Sequence, residues 1–384
     1  MKISQAVIFF GIVSIIYGII NYYITKRVMS VIPESYKTAT LAILIFVIAS
    51  FIVGRILENF WISYLSDVLV WIGSFWIAIM FYTLMWLVLI DIFRVVNHFF
   101  PFFPSIVKTN PENIKRTLAL IISIFVFIVI AAGFINTKII NVRKYHLAIN
   151  KEAGSLKSLN IVMASDLHLG TIYGKQFAYK LAWMINELKP DIILLAGDII
   201  DEDIEPVLAD NVGDALLKLN AKYGIYGITG NHEYIGGVKE AVDYLTAHNV
   251  KMLRDTSVLI DNSFYVVGRE DRAIKQFSES KRKPLNEIVR DIDFTKPVIM
   301  MDHQPFNLEQ AQQNGIDLQL SGHTHNGQLW PANYIVDKIY EVAWGYKLIN
   351  KTHYYVSCGV GGWGPPVRTG SRPEIVNIKL RFAE

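Results

Sequence analysis

Four long apolar runs in the first third of the chain constrain its fold more than any other feature. They cover residues 3–24, 39–53, 68–90 and 118–135. A helix of about 20 apolar residues crosses a bilayer, and the first and third runs reach that length. The first run lacks a small-residue cleavage site and further runs follow it, so a removable signal peptide is not expected. The pattern predicts a transmembrane helical anchor of about four helices over residues 1–136.

Composition agrees with a membrane protein. Hydrophobic residues make up 52% of the 384 positions and the mean hydropathy is +0.32, which is too apolar for an ordinary soluble domain of this size. The net charge of +3 is too small to predict a nucleic-acid partner, and the second half has no basic stripe. The single cysteine, Cys358, excludes an internal disulfide and a cysteine-rich zinc site.

Basic residues between the runs predict the orientation of the chain. The loops between runs one and two and between runs three and four carry Lys26, Arg27, Lys37, Arg94, Lys108, Lys115 and Arg116. The other side carries Lys2, Arg55, Lys138, Arg143 and Lys144 near the membrane. Because loops rich in lysine and arginine stay in the cytoplasm, we expect a multi-pass membrane protein with an extracytoplasmic C-terminal half. The Phe-Phe-Pro repeat at 99–104 predicts a non-helical loop at headgroup level.

Residues 137–384 alternate between strand and helix patterns and predict a soluble α/β domain. Predicted strands at 160–164, 191–196 and 223–229 are separated by predicted helices at 175–188 and 205–219, and a helix at 237–248 follows. The later segments are rich in strands, including 297–301 and 316–320. This order favours two packed sheets flanked by helices.

Side chains that bind metals follow five of the predicted strands, at the edge where α/β folds collect ligands. They comprise two carboxylates, one amide and four imidazoles: Asp166, His168, Asp198, Asn231, His303, His323 and His325. Each pair two residues apart is expected to share one side of an extended strand end. Glycines before Asp198, Asn231 and His323 would let the backbone approach a bound group closely.

The size of this set predicts two metal ions. Seven ligands are too many for one tetrahedral zinc, but they suit two divalent ions if one carboxylate is shared, and Asp198 is central in the order. Two divalent ions carry more positive charge than the two carboxylates neutralise, so the site would attract hydroxide and phosphate. Adjacent ions favour an in-line displacement at phosphorus, and the mixed oxygen and nitrogen donors favour manganese, iron or zinc.

The five motifs resemble the calcineurin-like metallophosphoesterase superfamily over about residue 159 to the C-terminus. They read Asp166-x-His168, Gly197-Asp198, Gly230-Asn231-His232-Glu233, His303 and Gly322-His323-x-His325. The segments 321–328 and 359–368 are similar to the membrane-associated bacterial branch with N-terminal transmembrane helices. Asn326 stands where glycine is commoner in that branch, and we expect it to adopt a left-handed backbone.

The resemblance implies a fold, a ligand set and a role for His232. The fold is a β-sandwich flanked by helices over residues 137–384. One ion would be held by Asp166, His168, Asp198 and His325, and the other by Asp198, Asn231, His303 and His323. His232 would contact phosphate and protonate the leaving group, oriented by Glu233, and Asn231 would steady the phosphate.

Two further residues keep alternative interpretations. Asp201 is expected either to accept a hydrogen bond from a ligand or to cap the next helix. Arg368 either pairs with a phosphate oxygen or is a solvated surface residue.

The predicted function is that of a membrane-anchored, metal-dependent phosphohydrolase that cleaves a phosphodiester or pyrophosphate bond. The domain follows the fourth run closely, which favours a lipid-linked or cell-envelope substrate and contact with membrane lipid. The superfamily offers one precedent in hydrolysis of UDP-2,3-diacylglucosamine in lipid A synthesis, at a cytoplasmic site. Another is extracytoplasmic phosphodiesterase action, which the predicted orientation favours. A non-catalytic metal-binding scaffold is the rival hypothesis, against which the retained His232 argues.

Overall fold

A computed structural model describes residues 3–383, with side chains described from residue 11 onward. The chain divides into two compact units. One contains the helices up to Ile135 together with Gly364–Val367, and the other contains Asn136–Trp363 and the segment that begins at Arg368. The predicted anchor begins at Met1, the predicted soluble domain ends at Glu384, and the orientation argument includes Lys2. These three residues lie outside the described ones.

The first unit is built from long helices. Its elements are α1 Ile3–Met29, α2 Glu34–Phe60, α3 Tyr64–Phe99, α4 Ser105–Thr109 and α5 Pro111–Thr137, the last of which ends in the second unit. Among the described residues, α2, α3 and α5 are long and apolar enough to cross a membrane. They match three of the four predicted spans. The run at 3–24 lies in α1, where the side chains of 3–10 are outside the described residues, so a fourth span stays a prediction.

Two glycines let α2 and α3 pack closely. A Cβ atom on Gly73 would lie 2.3 Å from the backbone of Phe51, and one on Gly54 would lie 2.8 Å from the backbone nitrogen of Val70. Close approach of backbones at small residues is a common way for apolar helices to associate. The segment 99–104 is not helical throughout, as predicted, because α3 ends at Phe99 and residues 100–104 are not helical.

The second unit contains two six-stranded sheets. The strands are β1 Asn141–Ile149, β2 Ser158–Ala164, β3 Ile192–Ala196, β4 Ile225–Ile228, β5 Lys251–Met252, β6 Thr256–Ile260, β7 Phe264–Gly268, β8 Val298–Met301, β9 Leu318–Ser321, β10 Gly345–Ile349, β11 Thr352–Val356 and β12 Glu374–Phe382. One sheet has the order β1-β12-β2-β3-β4-β5, and the other has the order β10-β11-β9-β8-β7-β6. Strands β2, β3 and β4 run parallel, as do β7, β8, β9 and β11.

The two sheets share one buried core. Ile161 and Met163 of β2 belong to the same apolar cluster as Ile299 and Met301 of β8 in the other sheet. The intervening Val162 faces a second cluster, which the helices on the outer side of the first sheet complete. Side chains alternate across a strand, so a strand covered on both faces is apolar throughout. The predicted mixed α/β architecture with two packed sheets is therefore confirmed.

Short helices flank the sheets: α6 Lys175–Glu187, α7 Glu205–Ala209, α8 Asn231–Gly236, α9 Val238–Ala247, α10 Ile274–Phe277, α11 Leu285–Ile288, α12 Glu309–Gln313 and α13 Asn333–Ile339. The predicted continuous helix at 205–219 is wrong. Asn211 has a left-handed backbone with φ of 49° and separates α7 from a 3-10 helix at Val212–Lys218. A left-handed residue cannot continue a right-handed helix, so the segment turns there.

Candidate metal centre

The predicted ligands meet where the carboxyl ends of five strands come together. In the first sheet β2, β3 and β4 end at Ala164, Ala196 and Ile228, just before Asp166, Asp198 and Asn231. In the second sheet β8 and β9 end at Met301 and Ser321, just before His303 and His323. Parallel neighbours present their carboxyl ends on the same edge, which explains why ligands so distant in sequence converge.

The ligand pairs lie in tight turns beyond the strands. Asp166, His168, Asp198, His323 and His325 all have left-handed backbones, with φ between 47° and 72°. Each such residue costs free energy that the surrounding structure must offset, and such residues cluster at functional sites. The prediction that the pairs Asp166/His168 and His323/His325 stand on extended strand ends is therefore wrong. Asn326 also adopts the left-handed backbone predicted for it, with φ of 46°.

Six of the predicted ligands form two groups that divide the last histidine pair between them, and a third group joins His168 and Asp198 with His232. Asp166, His168 and His325 form one group, and Asp198, His303 and His323 form the other, with ligand atoms within 4.8 Å of one another in each. The Nε2 atoms of His168 and His325 are 3.2 Å apart. Asp198 Oδ2 lies 3.0 Å from Nε2 of His303 and 4.0 Å from Nε2 of His168, so this carboxylate lies between the groups.

Several buried polar atoms at the site have no hydrogen-bond partner, which shows that the residues fit metal ions. They include Asp166 Oδ2 and Asn231 Oδ1. Buried polar atoms without partners are rare in folded proteins unless a bound group completes them. The Nδ1 atom of His303 lies 2.8 Å from the Ala196 carbonyl oxygen, to which it can donate its proton, and this leaves Nε2 as a ligand. The oxygen and nitrogen donors suit divalent ions.

Two glycines permit this close packing of ligands. A Cβ atom on Gly230 would lie 2.1 Å from Asp198 Oδ1, and one on Gly322 would lie 2.4 Å from Asp166 Oδ2. Because these glycines have no side chains, backbone amides can approach the two carboxylates and orient them. The amide of His232 donates to Asp198 Oδ1 at 2.9 Å, and the amide of His323 donates to Asp166 Oδ1 at 2.9 Å.

The site keeps several ligands in the forms that bind metal. Burial, helped by the nearby His303, lowers the pKa of His323 to about 3. Burial also lowers the pKa of His325 well below its usual value, with His168 adding to the effect. Burial raises the pKa of Asp198, but the positive charges of His303 and His232 outweigh it and hold that pKa well below its usual range. The imidazoles of His323 and His325 are therefore neutral near neutral pH, and the carboxylate of Asp198 is ionised.

His232 lies beside the two groups and carries its own carboxylate partner. Its Nδ1 atom is 3.2 Å from Oδ1 of Asp201, and the same oxygen is 3.4 Å from Nδ1 of His168. Burial lowers the pKa of His232, but the charge of Asp198 and the hydrogen bond to Asp201 outweigh it and raise the pKa to about 10. Metal ions bound next to Asp198 would oppose this rise. Of the two interpretations of Asp201, contact with imidazoles is the one observed.

Glu233 does not orient His232, contrary to what the resemblance implies. Its carboxylate accepts hydrogen bonds from the backbone amides of Ile199 at 2.6 Å, Ile200 at 2.9 Å and Gly230 at 2.7 Å. It therefore fastens the loop after β3 to the loop after β4. The glutamate side chain is long enough to reach backbone amides in both loops. The imidazole of His232 is contacted by Asp201 instead.

Arg368 is fully buried, so the interpretation as a solvated surface residue is wrong. Its Nη2 atom donates to the Cys358 carbonyl oxygen at 2.8 Å and lies 3.1 Å from Nδ1 of His325. Arginine only donates hydrogen bonds, so it holds the imidazole from the side opposite to Nε2. No periodic pattern in the sequence predicts this burial, because Arg368 follows an irregular segment rich in glycine and proline.

Replacement of Arg368 by methionine is expected to lower metal affinity by about 10- to 100-fold, the usual cost of losing a group that orients a metal ligand. Calorimetric titration of the metal-free protein with Mn²⁺ measures this loss. Arg372→Met is the matched control, because the Arg372 side chain is exposed. Equal affinities in the two variants would contradict the orienting role of Arg368.

Comparison with known proteins agrees with this geometry. The family model described as calcineurin-like phosphoesterase matches residues 159–327. An uncharacterized metallophosphoesterase of Campylobacter jejuni is 31% identical and covers 97% of this chain and 98% of its own length. One from Aquifex aeolicus is 30% identical and covers 65% of this chain and 95% of its own length.

Relatives with membrane segments are also found. A transmembrane protein with metallophosphoesterase domain from Bos taurus is 31% identical and covers 73% of this chain and 65% of its own length. The similarity to the Campylobacter protein extends over both the helical region and the domain that carries the buried histidines and aspartates. The chain therefore belongs to the calcineurin-like metallophosphoesterase superfamily.

Proposed function

We propose that this protein is a membrane-anchored phosphohydrolase with two metal ions, which cleaves a phosphodiester or pyrophosphate bond in a lipid-linked or cell-envelope substrate. The observation that carries the proposal is the pair of buried ligand groups with Asp198 between them and His232 beside them. A metal site with only a structural role would not require an acid such as His232 beside the carboxylate of Asp198.

Each ion would take four ligands, with Asp198 common to both. The first would be held by Asp166, His168, Asp198 and His325, and the second by Asp198, Asn231, His303 and His323. When bound, two divalent ions supply the charge that activates water and stabilises the negative charge developing on the phosphoryl oxygens.

The residues around these ligands would position the phosphate and move a proton. His232 would donate the proton on its ring to the oxygen of the leaving group, and its backbone bond to Asp198 keeps the ring next to the centre. The Asp201 carboxylate favours the protonated ring and fixes its orientation through Nδ1. Asn231, which starts α8 beside His232, would steady a phosphate oxygen through its amide.

The substrate class follows from the anchor. Three candidate spans are present among the described residues, and α1 would add a fourth. A domain tied this closely to a bilayer meets phosphates of lipids and envelope polymers at high local concentration. An extracytoplasmic domain would act on such envelope phosphodiesters, whereas a cytoplasmic one would fit a UDP-2,3-diacylglucosamine-type pyrophosphate. A reporter fused to the C-terminus distinguishes the two orientations.

Removal of metal tests the function directly. We expect the chelated full-length protein in detergent to be inactive on bis-p-nitrophenyl phosphate and to regain activity after binding two equivalents of Mn²⁺. Calorimetry gives the stoichiometry, and release of p-nitrophenolate gives the rate. Two equivalents bound with no hydrolysis of this compound would favour the metal-binding scaffold. Failure to bind any metal would contradict both interpretations.

A further inference from the structure

A short helix of the second unit presents apolar side chains to its surroundings. In α13, Tyr334 is 60% exposed, Ile335 63% and Ile339 57%, and Trp330 just before the helix is 46% exposed. We call these four residues the apolar face. Exposed apolar residues that occur singly need no explanation, but a contiguous group of large ones marks a surface that binds something.

The apolar face is distinct from the side of α13 that packs on the protein. Successive residues of an α-helix are turned by about 100°, so Tyr334, Ile335 and Ile339 share an arc of about 140°. Tyr340, after the helix, is turned inward, where its ring lies 4.7 Å from that of Phe306. Lys338 is exposed within the apolar arc. A lysine in this position can lay its stem along apolar surface while its charged end reaches a polar environment.

The apolar face is held close to the metal centre by the segment 368–371. The amide of Trp330 donates to the Thr369 hydroxyl at 2.9 Å. One residue earlier in that segment, Arg368 contacts Nδ1 of the ligand His325. The helix and the centre are also adjacent in sequence, because α13 begins ten residues after His323.

The same segment is bonded to the end of the last candidate span. The side-chain amide of Asn136, in the last turn of α5, donates to the carbonyl oxygens of Arg368 at 2.9 Å and Ser371 at 2.8 Å. Helix α5 ends at Thr137 and β1 begins at Asn141. Four peptide steps span at most about 14 Å. Asn136, Arg368 and Ser371 all belong to the second unit, so the segment 368–371, and with it the amide of Trp330, is bonded to the residue at which that unit begins.

We propose that the apolar face inserts into the interface of the bilayer that the helices of this chain cross, and so presents the metal centre to phosphate groups at headgroup level. The proposal rests on the membrane anchoring in the proposed function. It narrows the proposed substrates to phosphates carried by lipids in that interface. Lys338 suits this position, since its stem can lie among acyl chains while its charge meets a lipid phosphate. Trp330 and Tyr334 are side chains that favour the interface.

A depth measurement tests the insertion without relying on activity. The full-length protein with Ile335→Cys is spin-labelled and placed in vesicles of phosphatidylcholine and phosphatidylglycerol. The native Cys358 is fully buried and does not compete for the label. We expect the label at 335 to be accessible to oxygen and protected from a water-soluble nickel chelate. Asp337→Cys is the matched control, because this exposed position is about 200° away on the same helix and should be reached by the chelate.

Each outcome of the measurement supports or overturns the proposal. Equal chelate accessibility at 335 and 337 overturns insertion. Protection of 335 from both oxygen and chelate also overturns it, because a second copy or a partner protein then covers the face.

Hydrolysis gives a second, separate readout. The Ile335→Asp variant is expected to cleave hexadecyl p-nitrophenyl phosphate in vesicles about tenfold more slowly than wild type, which corresponds to about 1.4 kcal/mol of lost apolar contact. Cleavage of soluble bis-p-nitrophenyl phosphate should stay within about twofold of wild type. Equal loss on both compounds, or on neither, contradicts the proposal. A wild type that cleaves neither compound refutes the proposed function, while the depth measurement still decides the insertion.

Discussion

Asp198→Asn is expected to lower the rate of bis-p-nitrophenyl phosphate hydrolysis by roughly a thousandfold or more and to reduce bound metal from two ions toward one. The carboxylate lies between the two ligand groups, with Oδ2 3.0 Å from Nε2 of His303. An amide keeps the shape but not the charge, so it cannot neutralise two cations. The several kcal/mol that metal charge contributes to the transition state correspond to rate factors of this size.

The asparagine variant should fold, because its amide oxygen can still accept the 2.9 Å hydrogen bond from the His232 backbone. Steady-state kinetics and metal analysis on the same sample measure both effects. Asp210→Asn, at an exposed carboxylate on the surface, is the matched control and should resemble wild type. Two tightly bound ions in the Asp198→Asn variant would show that this carboxylate does not bridge them.

His232→Asn should lower the hydrolysis of an alkyl phosphodiester by about 100- to 10,000-fold, the usual contribution of a general acid. The loss on bis-p-nitrophenyl phosphate should be much smaller, because p-nitrophenolate departs readily without a proton. Asparagine can keep the contact with Asp201 that Nδ1 makes at 3.2 Å. A comparison of rates on the two compounds therefore isolates proton donation from binding, and metal content should be unchanged.

The dependence of the hydrolysis rate on pH tests whether His232 acts as an acid. Burial lowers the pKa of His232, but Asp198 and Asp201 outweigh it and raise the pKa in the metal-free protein. Bound metal would reduce the contribution of Asp198, and the contact of Nδ1 with Asp201 at 3.2 Å would still favour the protonated ring. An acid stops working as pH rises through its pKa, so wild-type hydrolysis of the alkyl diester should decline on the alkaline side. His232→Asn should lack that decline. Equal losses on both compounds, with the alkaline decline retained, would assign the proton to another group.

Local sequence patterns were sufficient for much of the second unit. The apolar strands at 160–164 and 191–196 appear as β2 and β3, because strands buried on both faces need apolar residues at every position. The glycines before Asn231 and His323 stand where the backbone lies against the carboxylates of Asp198 and Asp166, whereas their predicted approach to a bound group stays a prediction. The five motifs also led to the superfamily that the relatives show.

Errors arose where tertiary contacts overrode local preference. A helical pattern at 205–219 is interrupted by the left-handed Asn211. The His323 and His325 pair separates into two ligand groups because each backbone turns beyond the strand instead of extending it. Glu233 reaches backbone amides and leaves the imidazole to Asp201, and no spacing in the sequence distinguishes these two carboxylates.

The sequence by itself determined the apolar helices, most strands of the second unit and the side chains that are candidates to bind metal, because these depend on residue type and on short-range periodicity. Only the tertiary structure decided which group each ligand joins, which carboxylate supports His232, and that Arg368 is buried against His325. Those relations join residues up to 157 positions apart in the chain, as between His168 and His325. Contacts of that range depend on how two sheets pack, and local sequence carries little information about it.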